Sequence, residues 1–376
     1  MTEHDRSLGP RHAQRIASLD VFRGFTVAAM ILVSTPGTWS AVYAPLDHAA
    51  WNGWTPTDLV FPFFLFAMGA AVPLALTRRR GNEAPLPRHV LRRAVLLFGL
   101  GLALNAIETP RAIEFATFRI PGVLQRIAIV YVFVAVMTET LSERAQVAIV
   151  SVMLVGYWAV LTLIPVPGVG AATLTPRGNL AAFIDRRIFG AHMLTRNVDP
   201  EGLLSTIPAI ATAMLGVFAG AWLRRTHTAD RDRWLWAGGA VMTIAGLAWG
   251  LIFPINKSLW TSSFALFSAG MAAQCLAFCH WLVDVRGWRP LARPLSAFGR
   301  NALAAYVLSV GFDSLLSRLS IAGSSVKGMV FRAGFASWLR PCCGMEAASL
   351  AYALAYVALW EVVLAEMYRR QIFIGI

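Results

Sequence analysis

Ten runs of about twenty apolar residues, none of them alternating, decide what this chain can fold into. A helix of about 20 residues crosses the ~30 Å hydrocarbon core of a bilayer. Lipid offers the backbone no hydrogen-bond partners, so spanning segments are helices or a closed barrel; unbroken apolar patterning selects helices. The expected spans are 17–35, 57–77, 90–108, 121–140, 145–165, 202–223, 233–253, 259–284, 296–316 and 346–368. The stretch 322–339 makes a poor span, because Lys327, Arg332 and the Gly323–Ser325 run interrupt it. Only 14% of the residues are charged, against about 25% in a soluble domain. The expected class is an all-α polytopic integral membrane protein, one bundle of about ten transmembrane helices. A polar tail would occupy 1–15 and a single transmembrane domain 16–370, with long connections at 36–56, 166–201 and 317–345 and a short end at 371–376.

The net charge of +13 does not point to nucleic acid. The basic residues sit in short loops between spans, which is the orientation signal of membrane proteins. The side with the N-terminus and the even-numbered loops carries twenty Lys and Arg, the other side eleven. Both termini are therefore expected in the cytoplasm. The first apolar run follows Arg11 and Arg15, contains Asp20 and Arg23, and lacks a small-residue cleavage site, so it reads as a retained span. Four cysteines imply no disulfide framework, and no internal repeat of the inverted-transporter kind is visible.

Polar and aromatic residues gather just ahead of the second span, in YAPLDHAAWNGWTPTDLVFPFFLF, residues 43–66. His48 is the first catalytic candidate, since imidazole serves as base or nucleophile near neutral pH. Asp47 or Asp58 can orient its ring; an exposed loop histidine beside a loop carboxylate is the plain alternative. Trp51, Asn52 and Trp54 lie beside it, although tryptophan also settles at membrane interfaces for no chemical reason. Asp20 and Arg23, at i and i+3, form either an intrahelical ion pair or a ligand contact. Gln125 and Arg126 begin the fourth span, where Arg126 can hold a carboxylate such as Glu108 or an anionic ligand. Asp199 with Pro200 reads as a cap and first turn of the sixth span, near Glu201. Asn256, Lys257 and Trp260 form the tight turn before the eighth span. Arg300 and Asn301 open the ninth, where helix N–H groups and an arginine suit a phosphate, as does the run Arg78–Arg80 with Arg92 and Arg93. Cys275, Cys279 and His280 are too few for a convincing metal site, and none is expected.

The runs SLDVFRGFTVAAMILV, HAAWNGWTPTDLVFPFFLF, GVLQRIA, DPEGLLSTIPAI, PINKSLWT and GRNALAAY together resemble, in order, the heparan-α-glucosaminide N-acetyltransferase family of transmembrane acyltransferases, in its short bacterial form. The resemblance implies transfer of acetyl from cytosolic acetyl-CoA to an amino sugar or glycan across the membrane, in a bacterial inner membrane. It puts the family's catalytic histidine on His48. The family's asparagine partner near the end of the first span falls on Ser34, which has a shorter reach and no amide carbonyl. It also suggests acceptor contacts at Trp51, Asn52, Trp54, Glu201, Asn256, Lys257 and Trp260. Donor contacts fall on Asp20, Arg23, Gln125, Arg126, Arg300 and Asn301. The expected partners are the lipid bilayer, acetyl-CoA, an amino-sugar acceptor and, in some forms, a second copy of the chain. The competing function is a multi-span exporter of a sugar or lipid-linked sugar that performs no chemistry.

Overall fold

The computed structural model describes residues 16–79, 86–108, 114–225, 231–288, 290, 292–321 and 323–374. The expected tail 1–15, Arg80 of the expected phosphate seat and the last two residues lie outside them. The chain forms α1 (Ala17–Ser34), α2 (Pro56–Arg79), α3 (Leu86–Glu108), α4 (Val123–Thr140), α5 (Glu143–Leu163), α6 (Leu180–Phe189) and α7 (Thr206–Arg225). Then come α8 (Arg231–Gly250), α9 (Ser262–His280), α10 (Ala292–Arg300) and α11 (Ala302–Arg318). A small hairpin of β1 (Ser320–Ile321) and β2 (Ser324–Ser325), α12 (Val326–Phe331), α13 (Ser337–Cys343) and α14 (Met345–Arg369) complete it.

Among the described residues, eight helices are long and apolar enough to span: α1, α2, α3, α4, α5, α7, α9 and α14. The chain is an integral membrane protein. The other two expected spans are helical but fall short. Tryptophans, four glycines and the charged start dilute α8. The expected span 296–316 is split at Arg300 and Asn301 into α10 and a 17-residue α11. The doubtful 322–339 stretch breaks into α12, a π-turn over 332–336 and α13, so it caps one end of the bundle and does not cross it.

Close approach of small residues builds the centre, as expected where lipid supplies no hydrophobic drive between helices. A Cβ on Gly216 or Gly220 of α7 would lie 2.2 or 2.1 Å from the Phe66 or Ala70 carbonyl oxygen of α2. Gly24 of α1 and Gly299 of α10 make the same kind of seam. There the Asp20–Arg23 pair (2.8 Å) also works, because Arg23 Nε donates to the Gly299 carbonyl at 2.6 Å. Those two charges join α1 to α10.

The end at which α1 finishes and α2 begins, the site end, carries the polar connections. Residues 35–55 are tied to α14: Gly37 N donates to Ser349 O, and Thr38 N to Ser349 Oγ. Gly53, at φ +98°, donates its N–H to Ile255 O at 2.8 Å, which joins this connection to the α8–α9 turn. Ile120 N donates to His192 O, so the α3–α4 connection clasps the 166–201 segment.

Candidate functional site

The site is built on the first turn of α2. Thr55 precedes Pro56, and Asp58 sits three residues after Thr55, the spacing of a capping box. Asp58 Oδ2 accepts from the backbone N–H of Thr55 (3.0 Å) and of Ala49 (3.1 Å). The carboxylate is 1% exposed, and the helix N-terminus favours its charge. Its other oxygen, Oδ1, is 2.8 Å from His48 Nδ1. An ionised carboxylate only accepts, so Nδ1 carries the proton and Nε2 keeps its lone pair. The His48 side chain is 51% exposed. The structure thus brings Asp58 to the ring. Asp47 instead accepts from the backbone N–H of His48 (2.8 Å), and its own carbonyl accepts from Thr55 Oγ1 (2.6 Å).

Lys257 arrives from the turn before α9. Its Nζ lies 3.5 Å from Asp58 Oδ1, and 3.1 and 3.4 Å from His48 Nδ1 and Nε2. Burial pulls the Lys257 ammonium below its ordinary pKa, and the Asp58 charge opposes that shift. The Asp58 carboxylate and the Lys257 ammonium offset each other's charge beside the ring. The turn is rigid. Buried Asn256 accepts from Leu259 N at 2.9 Å and donates through Nδ2 to Asn52 Oδ1 at 3.1 Å. Trp260 takes φ +50°, a left-handed conformation that is strained for a bulky residue. It is 1% exposed and donates Nε1–H to Thr212 Oγ1. Trp51 Nε1–H donates to Leu174 O, and the Trp54 ring packs on Phe267 at 4.9 Å.

A second polar cluster stands beside this one. Arg119 Nε and Nη2 fork onto Asp199 at 3.1 and 2.9 Å, and Nη2 reaches Glu201 at 2.7 Å. Burial works against the Arg119 charge, but the two carboxylates outweigh it and hold its pKa above the ordinary value. Asp199 stays below the usual carboxylate range despite its burial, because Arg119 holds it. It does not cap a helix, as α7 begins only at Thr206; it also accepts from Leu194 N and Glu201 N. Glu201 is near enough to act electrostatically on Lys257, Glu108 and Tyr306. Asp185 accepts from Leu203 N, and burial pushes its carboxyl up to about 6.

Several assignments from the sequence change. Arg126 does not pair with Glu108; its Nη2 donates to Gly202 O and Ser205 Oγ, and its guanidinium lies 5.2 Å from the Trp260 ring centre. Gln125 packs against Gly101 and Gly122 at the same end. Ser34 lines a cavity, and among the described residues no hydrogen bond joins it to His48. Arg300 ends α10 and does not open a span; it lies between the Tyr368 and Phe373 rings at 4.9 and 4.6 Å. Asn301 grips the segment after α14, donating to Ile372 O and accepting from Ile374 N. The two residues stand directly before α11, of which Asn301 is the N-cap residue. Asp20, Arg23, Arg300 and Asn301 lie at the end of the bundle opposite His48, whereas Gln125 and Arg126 lie at the site end. His280 pairs with Asp232 of α8, while Cys275 and Cys279 are free. Among the described residues no three His, Cys, Asp or Glu converge as metal ligands. Sequence reading passed over Arg119, Asp185 and Tyr306; nothing in their local patterns marks them, since each acts through partners distant in the chain.

Comparison with known proteins adds the following. Residues 15–171 match a family described as a domain of unknown function, DUF5009. The chain is 30% identical over 352 residues to heparan-alpha-glucosaminide N-acetyltransferase of Homo sapiens, covering 78% of this chain and 52% of that protein. The protein of the same name from Mus musculus is 30% identical over 356 residues, 78% of this chain and 53% of that protein. The chain therefore spans about half the length of the curated relatives it matches.

Proposed function

From a chain related to the heparan-α-glucosaminide N-acetyltransferases, we propose a transmembrane acetyltransferase that moves an acetyl group from acetyl-CoA to the amine of an amino sugar. The observation that carries the reading is His48: Nδ1 held by a buried carboxylate, the ring half exposed, and a lysine 3.1 and 3.4 Å from its two nitrogens. An amine attacking the thioester carbon forms a C–N bond as the C–S bond breaks, and it loses a proton. Nε2 takes that proton, while Asp58 keeps the ring in one tautomer and stabilises the imidazolium. The same atom can instead carry the acetyl group as an intermediate. The Lys257 ammonium is the donor for the oxyanion, a role worth about 3–4 kcal/mol in well-placed sites.

The positive-inside pattern sets the site end away from the cytoplasm and the arginine-rich end within it, in a bacterial inner membrane. The phosphates of acetyl-CoA cannot enter ~30 Å of hydrocarbon. The nucleotide therefore stays at the basic end, near Arg23, Arg88, Arg92 and Arg93, and the acyl arm runs between helices toward His48.

The test is acetyl transfer by the purified protein from radiolabelled acetyl-CoA to a panel of amino sugars. His48→Ala should abolish transfer, and Cys342→Ser, at an exposed position, should keep it. Equal transfer by wild type and His48→Ala defeats the proposal. A reporter inserted beside His48 should be found outside the cytoplasm.

A further inference from the structure

The site end also contains a cavity of about 440 Å³ that the transfer step does not use. It lies between the ends of α1 and α3 and one side of α11, walled in part by Ser34, Glu108, Tyr306, Asp313, Ser317 and Arg318. Its size falls within the ~300–1,000 Å³ of small-molecule sites. Two of its charged groups already have protein partners. Asp313 pairs with Lys327 at 2.8 Å, and Arg318 Nη1 donates to Ile107 O at 2.9 Å. Glu108 is different. Arg119 lies near it, but among the described residues it makes no hydrogen bond or ion pair, and the Tyr306 hydroxyl makes none either.

A carboxylate among hydroxyls, at the end of the bundle away from the arginine-rich one, suits a hydroxyl-rich ligand better than the nucleotide. It accepts from hydroxyl donors, and such charge-assisted bonds are the strong ones. The cavity lies at the same end of the bundle as His48, since Ser34 ends α1 and Glu108 ends α3 there.

We propose that this cavity holds the sugar ring of the acceptor, which deepens the reading above and rests on it. Ring hydroxyls donate to Glu108, while Tyr306, Ser34 and Ser317 complete the partners. The amine then projects toward His48. Ser34 in this arrangement is a sugar contact and not a partner of the imidazole.

The experiment is equilibrium dialysis of radiolabelled glucosamine against the full-length protein in detergent, with acetyl-CoA binding measured on the same samples. Wild type should bind the sugar saturably, and His48→Ala should bind it equally well. Glu108→Gln and Tyr306→Phe should each weaken it about tenfold, the effect of ~1.4 kcal/mol, with donor binding unchanged. Ser34→Ala, the mildest change, should weaken it about threefold if a larger substitution disturbs folding. Sugar binding that survives Glu108→Gln and Tyr306→Phe, or that fails only with His48→Ala, overturns the assignment. Weakened donor binding with intact sugar binding gives the cavity to the donor and also overturns it. A wild-type protein that transfers acetyl but binds no glucosamine rejects the cavity and leaves the transferase reading standing. One that binds neither ligand rejects both.

Discussion

Asp58→Asn is the sharpest perturbation of the site. The amide keeps the shape and can still accept from Thr55 N and Ala49 N, but it removes the charge that faces His48 at 2.8 Å. With charge centres about 4 Å apart and an effective dielectric of about 20, that carboxylate stabilises an imidazolium by about 4 kcal/mol. The ring is half exposed, so solvent screening reduces this to about 2 kcal/mol. At 1.36 kcal/mol per decade, kcat should fall about 30-fold. KM for the donor should stay level, because Asp58 is not expected to touch it. The same change leaves the Lys257 ammonium without its carboxylate, so the thermal midpoint should also drop. Steady-state transfer of radiolabelled acetyl, with a melting curve for each variant, reads both. A variant within threefold of wild-type kcat would show that the carboxylate does not serve the ring.

Lys257→Met removes the oxyanion donor and leaves Asp58 with only His48 to neutralise it, so transfer should fall about 100- to 1,000-fold at every pH, the effect of about 3–4 kcal/mol, and most at neutral pH; a loss under tenfold throughout refutes the donor role. Asp185 has a raised folded pKa of about 6, so between roughly pH 4 and 6 the folded state binds more protons than the unfolded one, and stability falls as pH rises through that window. The change is about 3 kcal/mol, and Asp185→Asn should flatten melting midpoints measured across pH 4 to 7, whereas an unchanged slope argues against it. Gly220→Val puts a branched side chain where even a Cβ would sit 2.1 Å from the Ala70 carbonyl oxygen; overpacking costs about 1–3 kcal/mol, so the midpoint should drop, and the same change at Gly238, which has open space around it, should cost much less.

The bundle was legible because lipid imposes one rule on every span, and length with apolarity suffices to apply it. Where the rule weakens, so did the reading: α8 and α11 pack with small and polar residues, and their ends shift by several positions. In the site, His48 and Asp58 were visible because both lie in the polar stretch ahead of the second span, ten residues apart. Asn256 and Lys257 became candidates through resemblance and turn position, and only folding shows Lys257 against His48, 209 residues away. Asp199 looked like a cap since Asp-Pro commonly starts helices; the buried fork of Arg119, 80 residues upstream, claimed it instead. Arg300 looked like a phosphate seat for a similar reason, and its guanidinium lies between aromatic rings from the far end of the chain. Local pattern names what a side chain is suited to, but distant partners decide which use prevails.

The join between the 35–55 connection and the α8–α9 turn bears on how the molecule moves. Gly53 to Ile255, Asn52 to Asn256 and Asp58 to Lys257 stitch α2 to α9 across the mouth. A carrier that rocks its halves apart to pass a solute would rip all three stitches on every cycle. The transfer proposed above instead needs the mouth to stay shut around the handover, and this seam favours such stillness.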